Sequence, residues 1–192
     1  MQKIAVVGSG GAGKSTLARQ MGAILGLPVL HLDALYWRPG WRPTPSGEWR
    51  RIQETIVQGD AWIIDGHYAS TLDIRLRAAD TAVLLDYSRW LCLARAWKRR
   101  FAHRLRARPD MAPGCPEKID LAFLLWIWRF PRAGKPRLAA HLAEAAARGA
   151  TVVRLTSPKQ AALFLHSLRA EAAASPARRP PADSSGNFPQ PF

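Results

Sequence analysis

Gly8-Ser9-Gly10-Gly11-Ala12-Gly13-Lys14-Ser15 matches G-x-x-x-x-G-K-[ST] at every fixed position. The flanks agree with a phosphate-binding loop. Lys3-Ile4-Ala5-Val6-Val7 before it is a short apolar run with β-branched residues, which predicts a buried strand. Thr16 to Met21 after it predicts the first turns of a helix. Strand, glycine loop and helix N-terminus together make an anion site, with backbone N–H groups turned into the loop and the helix dipole favouring negative charge. Lys14 is placed to reach the β- and γ-phosphates of a nucleotide, and the Ser15 hydroxyl to hold Mg²⁺. The plainer alternative is an ordinary Gly-rich turn between strand and helix. The matched flanks weigh against it.

The chain has 192 residues, which predicts one domain with a small insertion. No apolar run is long enough to span a membrane, and the N-terminus enters a strand at once, so neither a membrane partner nor a signal peptide is expected. Cys92 and Cys115 are too few for a disulfide framework or zinc cluster and read as free thiols. A cytoplasmic location is expected. The net charge of +14 predicts anionic partners.

Strand-like runs alternate with helical patterns. Strands are predicted at residues 3–7, 28–32, 61–64, 81–85 and 151–155, and helices from residue 16 and over 46–59, 89–106, 117–130, 135–148 and 158–171. This predicts an α/β fold with a parallel sheet covered on both faces, so active residues belong at the carboxyl ends of strands. From Ala172 the composition turns to Ala, Pro, Ser, Arg and Gly, and residues 172–192 are expected to be a disordered tail.

Three acids fall at strand ends: Asp33, Asp65 and Asp86. Asp65, after Trp62-Ile63-Ile64, is placed to hold the metal through water. Asp33, after the second strand, is placed to accept the proton of an attacking hydroxyl or to bind the substrate. Asp86 reads as structural, with Ser88 capping the next helix. A basic run follows, with Arg95, Lys98, Arg99, Arg100, Arg104, Arg106 and Arg108. Arg95 and Arg99 share one helix face and suit charge developing in phosphoryl transfer. For Lys98, Arg104, Arg106 and Arg108 a solvated face and a role on the phosphates stand even, and a nucleic-acid stripe is a third reading. Tyr36 to Pro43 is too Pro-rich for a helix and is expected to be a mobile loop over the acceptor site or a packed lid. Arg129, Arg132 and Arg137 are expected to be able to swing toward phosphates.

These segments resemble the adenylate kinase-like small-molecule kinases: Gly8 to Thr16, Trp62 to Gly66, Asp86 with Arg95 and Arg99, and Thr156-Ser157-Pro158 after the last strand. His31 to Trp37, Pro39-Gly40-Trp41, Trp62 to Tyr68, Arg89 to Cys92 and Arg108 to Glu117 resemble one branch, the DNA topology modulation proteins. The likeness covers roughly residues 1–170. It implies a core kinase fold with strand order 2-3-1-4-5 and a helical lid near residues 100–135, within a domain spanning 1–171. It implies ATP and Mg²⁺ as cofactors, with nucleotide contacts at Gly8, Ser9, Gly10, Gly11, Ala12, Gly13, Lys14, Ser15 and Thr16. It further implies Arg95 and Arg99 on the ATP phosphates and Thr156, Ser157 and Pro158 beside the adenine. Adenylate kinases follow Asp-Gly with Phe-Pro-Arg, whose arginine binds the AMP phosphate. Here Asp65-Gly66 is followed by His67-Tyr68-Ala69. Arg75 or Arg77, at a different spacing, are the available substitutes. Asp33 is closer to the arrangement in shikimate and gluconate kinases, where a carboxylate meets a substrate hydroxyl. The expected activity is transfer of the ATP γ-phosphoryl group to a small acceptor. The alternatives are an ATP-dependent DNA-binding regulator and an NTPase without an acceptor.

Overall fold

Ile4, Ala5, Val6 and Val7 have no exposed surface at all, as a parallel strand covered on both faces requires. They lie in the first element of a computed structural model that describes residues 1–102, Met111, Gly114, Cys115 and residues 121–174. In chain order the elements are β1 (Lys3–Gly8), α1 (Lys14–Leu25), β2 (Val29–His31), α2 (Leu32–Tyr36), β3 (Trp37–Arg38), β4 (Arg42–Pro43), α3 (Ser46–Ile56), β5 (Trp62–Asp65), a 3-10 turn at Ala69–Thr71, α4 (Leu72–Ala78), β6 (Thr81–Leu85), α5 (Arg89–Ala102), α6 (Leu121–Ala133), α7 (Lys135–Ala147), β7 (Thr151–Leu155) and α8 (Pro158–Ala174).

The main sheet runs β2-β5-β1-β6-β7 with every pair parallel. Counted among the strands of this sheet, that is the expected order 2-3-1-4-5. Side chains alternate along β1. Ile4 and Val6 join Leu17, Met21, Ile127, Leu165 and Leu168 on the face of α1, α6 and α8. Ala5 and Val7 join Trp49, Leu72, Leu76, Leu138 and Leu142 on the face of α3, α4 and α7. Each large side chain fully buried in these layers contributes about 1.5–3 kcal/mol relative to exposure.

The chain turns from one side of the sheet to the other between β1 and β6, so the crevice beyond their carboxyl ends is where an open α/β sheet binds ligands. The phosphate loop sits there under two close backbone approaches. A Cβ on Gly8 (φ +141°) would lie 2.5 Å from the Leu85 carbonyl oxygen, and one on Gly11 (φ +73°) 2.2 Å from that of Cys92. Only glycine meets both the conformation and the space.

Several local expectations need correction. The second strand ends at His31, because α2 begins at Leu32 and carries Asp33 in its first turn. The Trp- and Pro-rich stretch is not a loop throughout. Tyr36 closes α2, and Trp37–Arg38 pairs antiparallel with Arg42–Pro43. Thr44 fastens this hairpin, donating from its backbone N–H (2.9 Å) and hydroxyl (2.7 Å) to the Tyr36 carbonyl. The 3-10 turn and α4 were not anticipated. α8 runs to Ala174, past the expected end at 171. Cys92 and Cys115 are free and buried. Much of the expected lid, including Arg104, Arg106 and Arg108, and the tail from residue 175 lie outside the described residues.

Gly11→Ala is expected to lower stability by about 2 kcal/mol through strain and the Cys92 contact. Gly47→Ala, in open space within α3, is expected to be neutral or to stabilise by up to about 1 kcal/mol. Thermal unfolding midpoints of the two variants check the pair.

Candidate active site

Lys14 and Ser15 open α1, directly after the left-handed Gly13 that caps it. The Lys14 ammonium donates to the Ser9 carbonyl at 2.9 Å, folding back on its own loop. Burial lowers its pKa, against the pull of Asp33 and Asp65. Ser15 Oγ donates to Asp65 Oδ2 at 2.7 Å. Asp65 ends β5 and is 4% exposed. Its other oxygen lies 2.5 Å from His31 Nδ1, because β2 places His31 in register opposite Asp65. A hydroxyl and a carboxylate at this spacing suit Mg²⁺, a hard cation that keeps oxygen ligands. Among the described residues no group of three or more His, Cys, Asp or Glu could hold a metal. A Mg²⁺ bound here would draw its remaining ligands from phosphate and water.

α5 runs beside the loop. Arg95 donates to the Ala12 carbonyl at 3.1 Å and lies over the Tyr87 ring. Arg99, one turn on, stacks over Phe123 with its guanidinium carbon 6.0 Å from the ring centroid. Both line the cleft with Lys98, Gly10, Gly11, Ala12, Gly13, Lys14, Ser15 and Thr16. The arginine pair expected from its spacing thus stands at the loop.

Asp33 reaches the same cleft from α2. The Tyr68 hydroxyl donates to it at 2.7 Å. Burial and the Asp33 carboxylate push the Tyr68 pKa far upward, so the phenol stays a donor. Tyr68 packs against Tyr36 and Trp49 at 4.7 and 4.9 Å between ring centroids. Trp37 and Trp41, edge to face at 5.4 Å, line the cleft alongside. The segment expected to be a mobile loop or a packed lid is a packed hairpin that lines the cleft.

Arg75 does not replace the missing phosphate-binding arginine. It is fully buried and donates to the carbonyls of Gly66 (2.8 Å), His67 (2.9 Å) and Tyr68 (3.4 Å). Burial lowers its pKa to about 10. It braces the chain leaving β5. Arg77 is exposed on α4, and Arg129 and Arg132 are exposed on α6; Arg137 lines the cleft. Pro158 also lines it. Thr156 and Ser157 are engaged in starting α8: Gln160 Oε1 accepts from the Thr156 N–H at 2.7 Å, and Gln160 N–H donates to Ser157 Oγ at 3.2 Å. Asp86 accepts from Arg154 Nε at 2.8 Å and Lys135 at 2.9 Å. Burial alone would raise its pKa, but these donors outweigh that and lower it. Ser88 Oγ accepts from the Leu91 N–H at 3.3 Å, so Asp86 and Ser88 have the structural places expected of them.

The residues that sequence reasoning did not assign to the site are Tyr68, His67, His31, Phe123 and Trp126. Phe123 and Trp126, ring planes 14° apart, stack over Gly10, where a Cβ would meet them at 2.7 and 3.1 Å. His67 lies 9% exposed under Trp126 and Phe130, its Nδ1 without a hydrogen-bond partner. Burial, helped by Lys14 and Arg75, lowers its pKa to about 4. The only signal was sequence position, directly after Asp65-Gly66.

Solved structures with this fold include a shikimate kinase from Acinetobacter baumannii in complex with shikimate. It has a TM-score of 0.53 and 15% identity over 91% of this chain and 94% of that one. A gluconokinase from Sinorhizobium meliloti 1021 has a TM-score of 0.52 and 17% identity over 90% and 92%. No protein-family model matches the chain, and no curated protein matches it in sequence. The chain therefore has the three-layer P-loop kinase fold.

His67 gives a pH prediction. Its folded pKa of about 4 lies below the unfolded 6.5, so between these values the unfolded state binds more protons and stability rises with pH. Stability is expected to fall by about 3 kcal/mol as pH drops from 6.5 toward 4. Denaturant unfolding across this window checks it, and His67→Phe should remove that part of the slope.

Proposed function

We propose that the chain is an ATP- and Mg²⁺-dependent phosphotransferase whose acceptor is a small hydroxyl compound. One observation carries this reading: Asp33, held by the Tyr68 hydroxyl, lines the same cleft as the phosphate loop. A carboxylate at that place accepts the proton of an attacking hydroxyl. The loop N–H groups cradle the triphosphate, and Lys14 leaves Ser9 for the β- and γ-phosphate oxygens. Ser15, and Asp65 through water, would hold Mg²⁺, which would supply charge neutralisation at the phosphates. Arg95 and Arg99 stabilise the transferring group. Phe123 and Trp126 cover the loop and keep water from competing with the acceptor.

The names of the two structural neighbours support a hydroxyl acceptor, as does the closeness of Asp33 to the arrangement of that kinase group. The Trp and Pro segments support the narrower likeness to the DNA topology modulation proteins within the adenylate kinase-like group. Arg75 is committed to backbone carbonyls, which argues against AMP as the acceptor.

Lys14→Ala is expected to cut ADP formation by about 10³-fold or more while the circular dichroism spectrum stays that of the wild type. Asp33→Asn is expected to cut acceptor-dependent turnover by about 10²-fold. A coupled ADP assay over a panel of hydroxyl compounds measures both. Undiminished transfer by Lys14→Ala overturns the mechanism.

A further inference from the structure

On α6 every residue from Leu121 to Phe130 except Arg129 is apolar. The inward face is occupied. Phe123 and Trp126 rest on Gly10, Ile127 is buried in the core, and Phe130 meets His67. The outward face presents Leu121, Leu125 and Trp128, which are 80%, 44% and 39% exposed. α5 packs beside α6 and adds Trp90 (67% exposed) and Trp97 (54%), two turns apart. Trp90 meets Trp128 edge-on at 5.0 Å, and the Arg89 guanidinium lies 4.4 Å over Trp128. A helix apolar on both sides belongs in a core or at an apolar boundary, yet α6 lies at the surface.

Charge selects the occupant. Arg129 and Arg132 are exposed on α6, and neither helix contains an Asp or Glu. A second copy on a two-fold axis would set these cations against themselves. Single-stranded nucleic acid would take the tryptophans and cations but gain little from Leu121 and Leu125. Anionic lipid satisfies both sets: Leu and Trp side chains enter the acyl boundary while the arginines meet the headgroups.

We propose that the outward face of α5 and α6, carrying Trp90, Trp97, Leu121, Leu125 and Trp128 among exposed cations, docks flat on an anionic membrane surface. The expectation of no membrane partner rested on the lack of a spanning segment, and no helix of the described residues is long and apolar enough to cross one. Surface docking needs no such segment. The same helix would then touch lipid on one side and the phosphate loop on the other.

Cosedimentation of the full chain with phosphatidylglycerol-containing vesicles, and with pure phosphatidylcholine vesicles, tests this. Binding is expected for the anionic vesicles alone and is expected to weaken about ten-fold or more between ~50 mM and ~500 mM salt. Wild-type tryptophan emission should shift to shorter wavelength and be quenched by lipids brominated along the acyl chain. A Trp90→Ser, Leu121→Ser, Leu125→Ser variant should partition at least about ten-fold less, with its unfolding midpoint compared to wild type. Absence of acyl-chain quenching in the wild type overturns the proposal without recourse to any variant. So does equal partitioning of a folded variant. A dimer abolished by the same substitutions, or binding of a thymidine oligonucleotide in place of vesicles, overturns it as well.

Discussion

Two backbone approaches hold the phosphate loop in shape. Gly8 lies against the Leu85 carbonyl at the end of β6, and Gly11 against the Cys92 carbonyl in α5. Neither contact leaves room for a side chain, so the loop is clamped between the sheet and a helix more than eighty residues away in sequence. Arg95 adds a third tie through the Ala12 carbonyl. The N–H groups meant for phosphate are thus oriented before any ligand arrives, the condition under which fixed dipoles stabilise charge most effectively. The parallel order of β5, β1 and β6 makes this possible, because it brings Gly8 and Leu85 into register.

The side of the cleft around Asp33 is built differently. In the chain leaving β5, the Gly66 N–H donates to the Val6 carbonyl, and one buried guanidinium, Arg75, donates to the carbonyls of Gly66, His67 and Tyr68, the last shared with the Thr71 N–H. Burying that charge is costly. Three carbonyl acceptors and the nearby Asp65 charge offset part of it, and burial still lowers the pKa to about 10. In return Tyr68 is held at φ +27° with its hydroxyl on Asp33. A guanidinium that looked available for a ligand serves instead to shape the backbone that positions the ligand's neighbours.

The donor half of the site was legible because its signals are local. The glycine spacing, the strand before it and the helix after it lie within about twenty residues, and strand ends flagged Asp33 and Asp65. The strand order followed from alternating elements together with the family resemblance. What was not legible depends on distant pairing. His31 meets Asp65 only through the β2–β5 register. Phe123 and Trp126 read as core or lid residues, and nothing in their spacing says that they land on Gly10. Arg75 could be marked as a nearby cation but not as fully buried. The Trp37–Pro43 hairpin was missed because proline content argues against a helix without revealing an edge pairing of two residues a side.

The clamp on Gly11 also bears on how α5 can move. Cys92 and Arg95 fasten its first two turns to the loop, so they form a fulcrum. The remainder of the helix, from Arg95 to Ala102, is a lever arm of about 10 Å at 1.5 Å rise per residue. Along this stretch α5 packs on α6, with Arg99 over Phe123, so a displacement of either helix would act on the Ala12 carbonyl and the loop backbone. The glycine loop is therefore tied through α5 to α6, the helix whose Phe123 and Trp126 cover it.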